Sequence, residues 1–102
     1  MLEKEVIGSL LKPLVQSGLY KDETSALKDI IIDYIDRKKG EYDTIISHFQ
    51  EKYKKDFSTF TNDIKSRASL EAEDDWMEWK GAIEMRKGWQ EAYFISINGQ
   101  AI

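Results

Sequence analysis

Asp22-Glu23-Thr24-Ser25-Ala26-Leu27-Lys28-Asp29-Ile30-Ile31-Ile32-Asp33-Tyr34-Ile35 places its apolar residues at Leu27, Ile30, Ile31, Tyr34 and Ile35. Those positions share one face of a helix, and Asp22 supplies the side-chain acceptor that an N-cap needs. Ile32 falls off the stripe, so the apolar face is wider than a monomer requires. A second copy of the chain is its expected cover, with Leu27, Ile30, Ile31, Tyr34 and Ile35 as the dimerisation residues. The helix either closes at Arg37-Lys38-Lys39-Gly40, with cations at its negative end, or reads through, since one glycine costs a helix only about 1 kcal/mol relative to alanine.

Toward the N-terminus, Leu2, Val6, Leu10, Leu11, Leu14 and Val15 form another stripe, giving a first helix that ends at Ser17-Gly18. Pro13 predicts a kink near Ser9 to Leu11 or a restart at Pro13, and Gly18 suits a left-handed cap. Toward the C-terminus, Tyr42, Ile45, Ile46, Phe49 and Tyr53 mark a third helix. Phe57, Phe60 and Ile64 mark a short fourth behind Asp56. The pattern lapses at Ser66-Arg67-Ala68-Ser69, read as a hinge. A last helix begins at Asp74 or Asp75 and carries Trp76, Trp79, Ile83, Arg86 and Trp89. Tyr93-Phe94-Ile95-Ser96-Ile97 alternates weakly, and Asn98-Gly99 is a turn signal. The expectation is an all-α protein of four to five helices: a dimerising N-terminal hairpin within residues 1–65, then an acidic aromatic helix and tail over 66–102.

The chain has 102 residues, a formal net charge of −4, and no cysteine. That length suits one domain, and stability must come from packing or association rather than disulfides. No apolar run reaches the roughly 18–20 residues of a membrane span, and the first residues lack the basic start of a signal peptide. The expectation is a cytoplasmic protein with no membrane partner. Negative net charge disfavours bulk binding to nucleic acid. Lys52, Lys54 and Lys55 beside Tyr53 and Phe57 form the best basic and aromatic cluster, but Glu51 and Asp56 interrupt it, so any nucleic-acid binding is expected to be weak.

Five carboxylates surround two of the three tryptophans in Glu71-Ala72-Glu73-Asp74-Asp75-Trp76-Met77-Glu78-Trp79. An indole left in water forgoes about 1.5–3 kcal/mol of burial, so something covers Trp76 and Trp79. The cover is either the chain's own core, with the acids at a helix start, or a partner protein that takes the tryptophans as anchors. His48 is the only histidine. With Glu51 one turn away it is a poor start for a metal site, and Asp74, Asp75 and Glu78 read better as a helix start than as a hard-cation site. No nucleophile elbow, phosphate loop or zinc-binding histidine pair occurs. No catalytic residue, cofactor or metal is expected, and the chain is not expected to be an enzyme.

Leu14-Val15-Gln16-Ser17-Gly18-Leu19-Tyr20-Lys21-Asp22-Glu23-Thr24-Ser25-Ala26-Leu27 resembles the helix, Ser-Gly-x-Tyr turn and second helix of ribbon-helix-helix type antitoxins and repressors. Phe49-Gln50-Glu51-Lys52-Tyr53-Lys54-Lys55-Asp56-Phe57, followed by Glu73-Asp74-Asp75-Trp76-Met77-Glu78-Trp79, resembles small prokaryotic antitoxins with an "FEEKYG-x-S-F" segment and an acidic "DD-aromatic-x-EW" segment. The likeness departs at the N-terminus, where Leu2 to Gln16 reads as helix in place of a DNA-reading strand, and at Lys54-Lys55, where glycine is common. It implies the antitoxin half of a toxin–antitoxin pair, a homodimer whose cognate toxin is commonly a ribonuclease with a basic site. The expected partner-binding residues are Glu73, Asp74, Asp75, Trp76, Glu78, Trp79, Ile83 and Trp89. The alternative is a small helical DNA-binding transcriptional regulator.

Overall fold

The computed structural model describes residues 3–98, which form four α-helices: α1 (Glu3–Gln16), α2 (Glu23–Tyr53), α3 (Phe57–Arg67) and α4 (Leu70–Ile97). The all-α expectation holds, and among the described residues there is no strand. α2 and α4 run antiparallel along each other, as Lys52 with Asp75, Asp43 with Arg86 and Lys39 with Tyr93 attest. α1 folds back on the first half of α2, and α3 bridges to the start of α4.

Each boundary has a local cause. α1 continues through Pro13 without restarting, and Gly18 at φ 81° closes it, its N–H on the Val15 carbonyl and that of Leu19 on the Leu14 carbonyl. Asp22, Asp56 and Ser69 cap the next three helices, accepting from the N–H groups of Ser25, Thr59 and Ala72. α2 reads straight through Gly40, so the expected second and third helices are one element of 31 residues. One exposed glycine does not outweigh the packing of an apolar face on both sides of it. α4 starts several residues earlier than expected because Ser69 caps it. It also takes in Tyr93–Ile97, where a strand-like alternation is read from sequence; having no neighbouring strand, the segment continues the helix. Gly99 lies outside the described residues.

The chain leaves α2 at Lys54, a non-glycine residue in the left-handed region at φ 55° and ψ 37°. A left-handed conformation costs a side-chain-bearing residue about 1 kcal/mol or more. Lys54→Gly is therefore expected to stabilise the fold by about 1 kcal/mol, read as a higher urea midpoint at unchanged slope.

The molecule measures 60 × 26 × 23 Å with a radius of gyration of 19.7 Å, against about 13 Å for a compact domain of this length. Its densest core lies at one end, where Phe49, Phe60 and Trp79 are buried and Ile45, Ile46, Tyr53, Phe57, Ile64, Ala72, Trp76 and Ile83 pack around them. That core draws on residues from both sides of position 66. At the other end the buried residues are small or few: Leu11, Ala26 and Ile35.

Candidate functional site

The segments 49–57 and 73–79 meet face to face. Trp79 has no exposed surface; it stacks on Phe49 at 5.7 Å and on Tyr53 at 6.4 Å, and meets Phe57 and Phe60 at 5.3 Å. Its indole N–H, fully buried, finds no acceptor among the described residues. Trp76 is half-buried, stacked on Phe57, and donates from Nε1 to the Thr61 hydroxyl at 2.9 Å. These two tryptophans, expected among the partner contacts, are thus covered by the chain itself, Trp79 completely and Trp76 on one face.

Asp75 also turns inward. Its carboxylate accepts from Lys52 Nζ at 2.6 Å and from the Tyr53 hydroxyl, while Lys52 reaches Glu71 at 2.8 Å. Burial pushes the Asp75 carboxyl up, but the hydrogen bonds from Lys52 and Tyr53 outweigh it and hold the group below its ordinary value. The same bonds, from Asp75 first and Glu71 second, raise the Lys52 ammonium. Burial and then the Asp75 bond raise the Tyr53 phenol. This clasp joins the end of α2 to the start of α4.

The remaining acids of the segment face outward. Glu73, Asp74 and Glu78 are exposed and have no ion-pair partner among the described residues, whereas Asp43, Glu51, Asp63 and Glu84 all pair with a lysine or arginine. Among them stand Leu70, 76 % exposed, and Met77, 66 % exposed. Beside them a groove of about 500 Å³ opens between α3 and α4, lined by Ile64, Ala68, Trp76 and Met77 and rimmed by Lys65 and Glu73. Leu70 and Met77 are absent from the expected set. Their signal is a seven-residue spacing on the side of α4 away from the tryptophans, obscured because the sequence pattern starts the helix only at Asp74 or Asp75.

Ile83 is half-buried against the core, and Trp89 is half-buried with its ring edge-on to Tyr34 at 5.7 Å. Of the expected dimerisation residues, Ile35 is buried within the chain and Leu27 is half-buried, lining a cavity with Leu11 and Ile7 of α1. Ile30, Ile31 and Tyr34 are exposed. Lys52, Lys54 and Lys55 each meet a carboxylate, Asp75, Glu51 and Asp63 respectively. His48 lies exposed against Phe49. Among the described residues no group of three or more potential metal ligands gathers, and no helix is long and apolar enough to cross a membrane.

Comparison with family models, with curated proteins and with solved structures finds no match for this chain.

Proposed function

We propose that this chain is an antitoxin-like protein that binds and neutralises a basic partner protein through the outward side of the first half of α4. The observation that carries the reading is the trio Glu73, Asp74 and Glu78, left without cations on a helix face that also exposes Leu70 and Met77. Unpaired carboxylates around apolar anchors suit a cationic surface, because complementary charge accelerates the encounter while the anchors hold the complex. The anchors are Leu70, Met77 and the open face of Trp76; Trp79 supports them from behind. The basic cluster that would serve a DNA-binding regulator is matched internally by carboxylates, which favours a protein partner over nucleic acid.

The test is affinity capture with the intact chain and with a Glu73→Lys, Asp74→Lys variant, followed by expression of the recovered protein on its own. A basic protein that arrests growth alone, is relieved by the intact chain, and binds the charge-reversed variant at least about tenfold more weakly is the expected result. Salt-sensitive binding of the purified chain to duplex DNA, with no such protein recovered, would sink it in favour of the regulator.

A further inference from the structure

α3 and α4 are joined by Ala68 and Ser69 alone and lie side by side in opposite directions, with Trp76 Nε1 donating across to the Thr61 hydroxyl at 2.9 Å. Along their outer edge runs the groove of about 500 Å³. Its walls are regular. α3 gives Thr61, Ile64 and Lys65, with Ala68 just past its end. α4 gives Leu70, Glu73, Asp74 and Met77, and Trp76 completes the lining. Each wall is one i, i+3, i+4, i+7 stripe, about 100° of a helix in width and about 10 Å in length. Two helices that present such stripes side by side make a bed for a third, because a helix is the element whose side-chain spacing matches both walls.

Charge decides which kind of helix fits. Glu73 and Asp74 stand on the α4 wall and Lys65 on the α3 wall, all three exposed and without an ion pair among the described residues. The acids outnumber the cation, so the matching helix carries its lysines or arginines along the flank that meets α4. Between the charges the lining is apolar at Ile64, Ala68, Leu70, Trp76 and Met77, which calls for apolar side chains at helical spacing on the occupant. A second copy is a poor occupant, since the outward face of α4 is itself acidic at Asp74 and Glu91, and the phosphates of a nucleic acid would meet Glu73 and Asp74 with like charge. We propose that the groove seats one basic amphipathic helix of the partner protein, about two to three turns long, its apolar stripe on Ile64, Trp76 and Met77 and its cations on Glu73 and Asp74. This rests on the partner reading above and names the element by which the partner is held.

The probe is a synthetic peptide of about 15 residues, a length at which an alanine-based helix begins to hold by itself, with leucines at i, i+4 and i+7 and arginines beside them. One sister peptide carries glutamate for arginine, and another has the same residues in an order that scatters the leucines. Titrated into the intact chain and followed by amide NMR, the arginine peptide is expected to move the resonances of residues 61–77, the Trp76 indole N–H among them, with both sisters binding at least about tenfold more weakly. Ala68→Trp, which fills the groove from an exposed, extended position without changing charge, should weaken the arginine peptide at least about tenfold. So should Glu73→Lys with Asp74→Lys. Glu5→Lys with Glu91→Lys makes the same change of net charge on exposed acids away from the groove and should alter the affinity less than about twofold. An arginine peptide that leaves residues 61–77 unmoved, equal binding of the scattered peptide, or equal weakening by the Glu5 and Glu91 pair overturns the proposal. So do shifts at 61–77 on raising the concentration of the chain alone, which would give the groove to a second copy. The capture experiment fails separately: a growth-arresting protein bound unaltered by Ala68→Trp keeps the antitoxin-like reading and removes the helix seat, whereas a peptide seated in the groove with no such protein recovered keeps the seat and removes that reading.

Discussion

Trp79→Ala is expected to remove about 3–5 kcal/mol of stability, the range for truncating a large aromatic side chain in a closed core. For a chain of this size that corresponds to a fall in the thermal midpoint of about 12 °C or more. The reason is geometric: Trp79 is wholly enclosed and touches four aromatic rings drawn from α2 and α3, so its removal leaves a cavity that α2, α3 and α4 all line. Trp79→Phe should cost much less, because it keeps most of the ring contacts and deletes the one fully buried indole N–H that lacks an acceptor. Trp76→Ala should fall between them, since half of that ring faces water. Calorimetry of the three variants orders them. If Trp79→Ala melts within a few degrees of wild type, Trp79 is no anchor of the core.

The clasp is expected to make folding acid-sensitive. Asp75→Ala leaves the half-buried Tyr53 hydroxyl without its acceptor and leaves Lys52 with Glu71 as its one carboxylate, for a loss of about 2 kcal/mol near neutral pH. Protonation does the same to the wild type. The Asp75 carboxyl is held below its unfolded value, so the unfolded chain takes up its proton first. Stability from this group is complete above the ordinary carboxylate range, at about pH 4 and higher, and drains away as pH falls through the depressed folded value. The gap between the urea midpoints of wild type and Asp75→Ala should be constant near neutral pH and narrow as pH falls below the ordinary carboxylate range. Curves that stay parallel throughout would show that the carboxylate's charge does not matter to the clasp.

Much of this architecture is legible from spacing alone. The stripes at Leu27–Ile35 and Tyr42–Tyr53, and the caps at Asp22 and Asp56, fix helices where the structure has them, and Gly18 closes α1 as its conformational freedom allows. What spacing does not carry is the choice between stopping and continuing at Gly40, because that depends on what packs on either side; the same holds for Tyr93–Ile97, whose fate turned on the absence of a neighbouring strand. The acidic segment shows a subtler limit. Alternating acids and tryptophans say that the indoles need cover, yet they do not say whose. The cover of Trp79 is supplied by Phe49, Tyr53, Phe57 and Phe60, residues of two other helices, and that pairing is a tertiary fact. On the outer side of α4, Leu70, Met77, Met85 and Ile95 escape notice because a pattern read for its inward face is silent about the opposite one.

The unequal distribution of core along the 60 Å molecule gives it a graded lifetime against solvent. Amide protons around the buried Phe49, Phe60 and Trp79 are expected to exchange only when the whole chain opens. Those of α1, which rests on α2 through Leu11 as its one buried residue, are released by local detachment. The chain is therefore expected to open first at its N-terminal end, where a protease would find its first foothold in residues 3–20 before the aromatic end gives way.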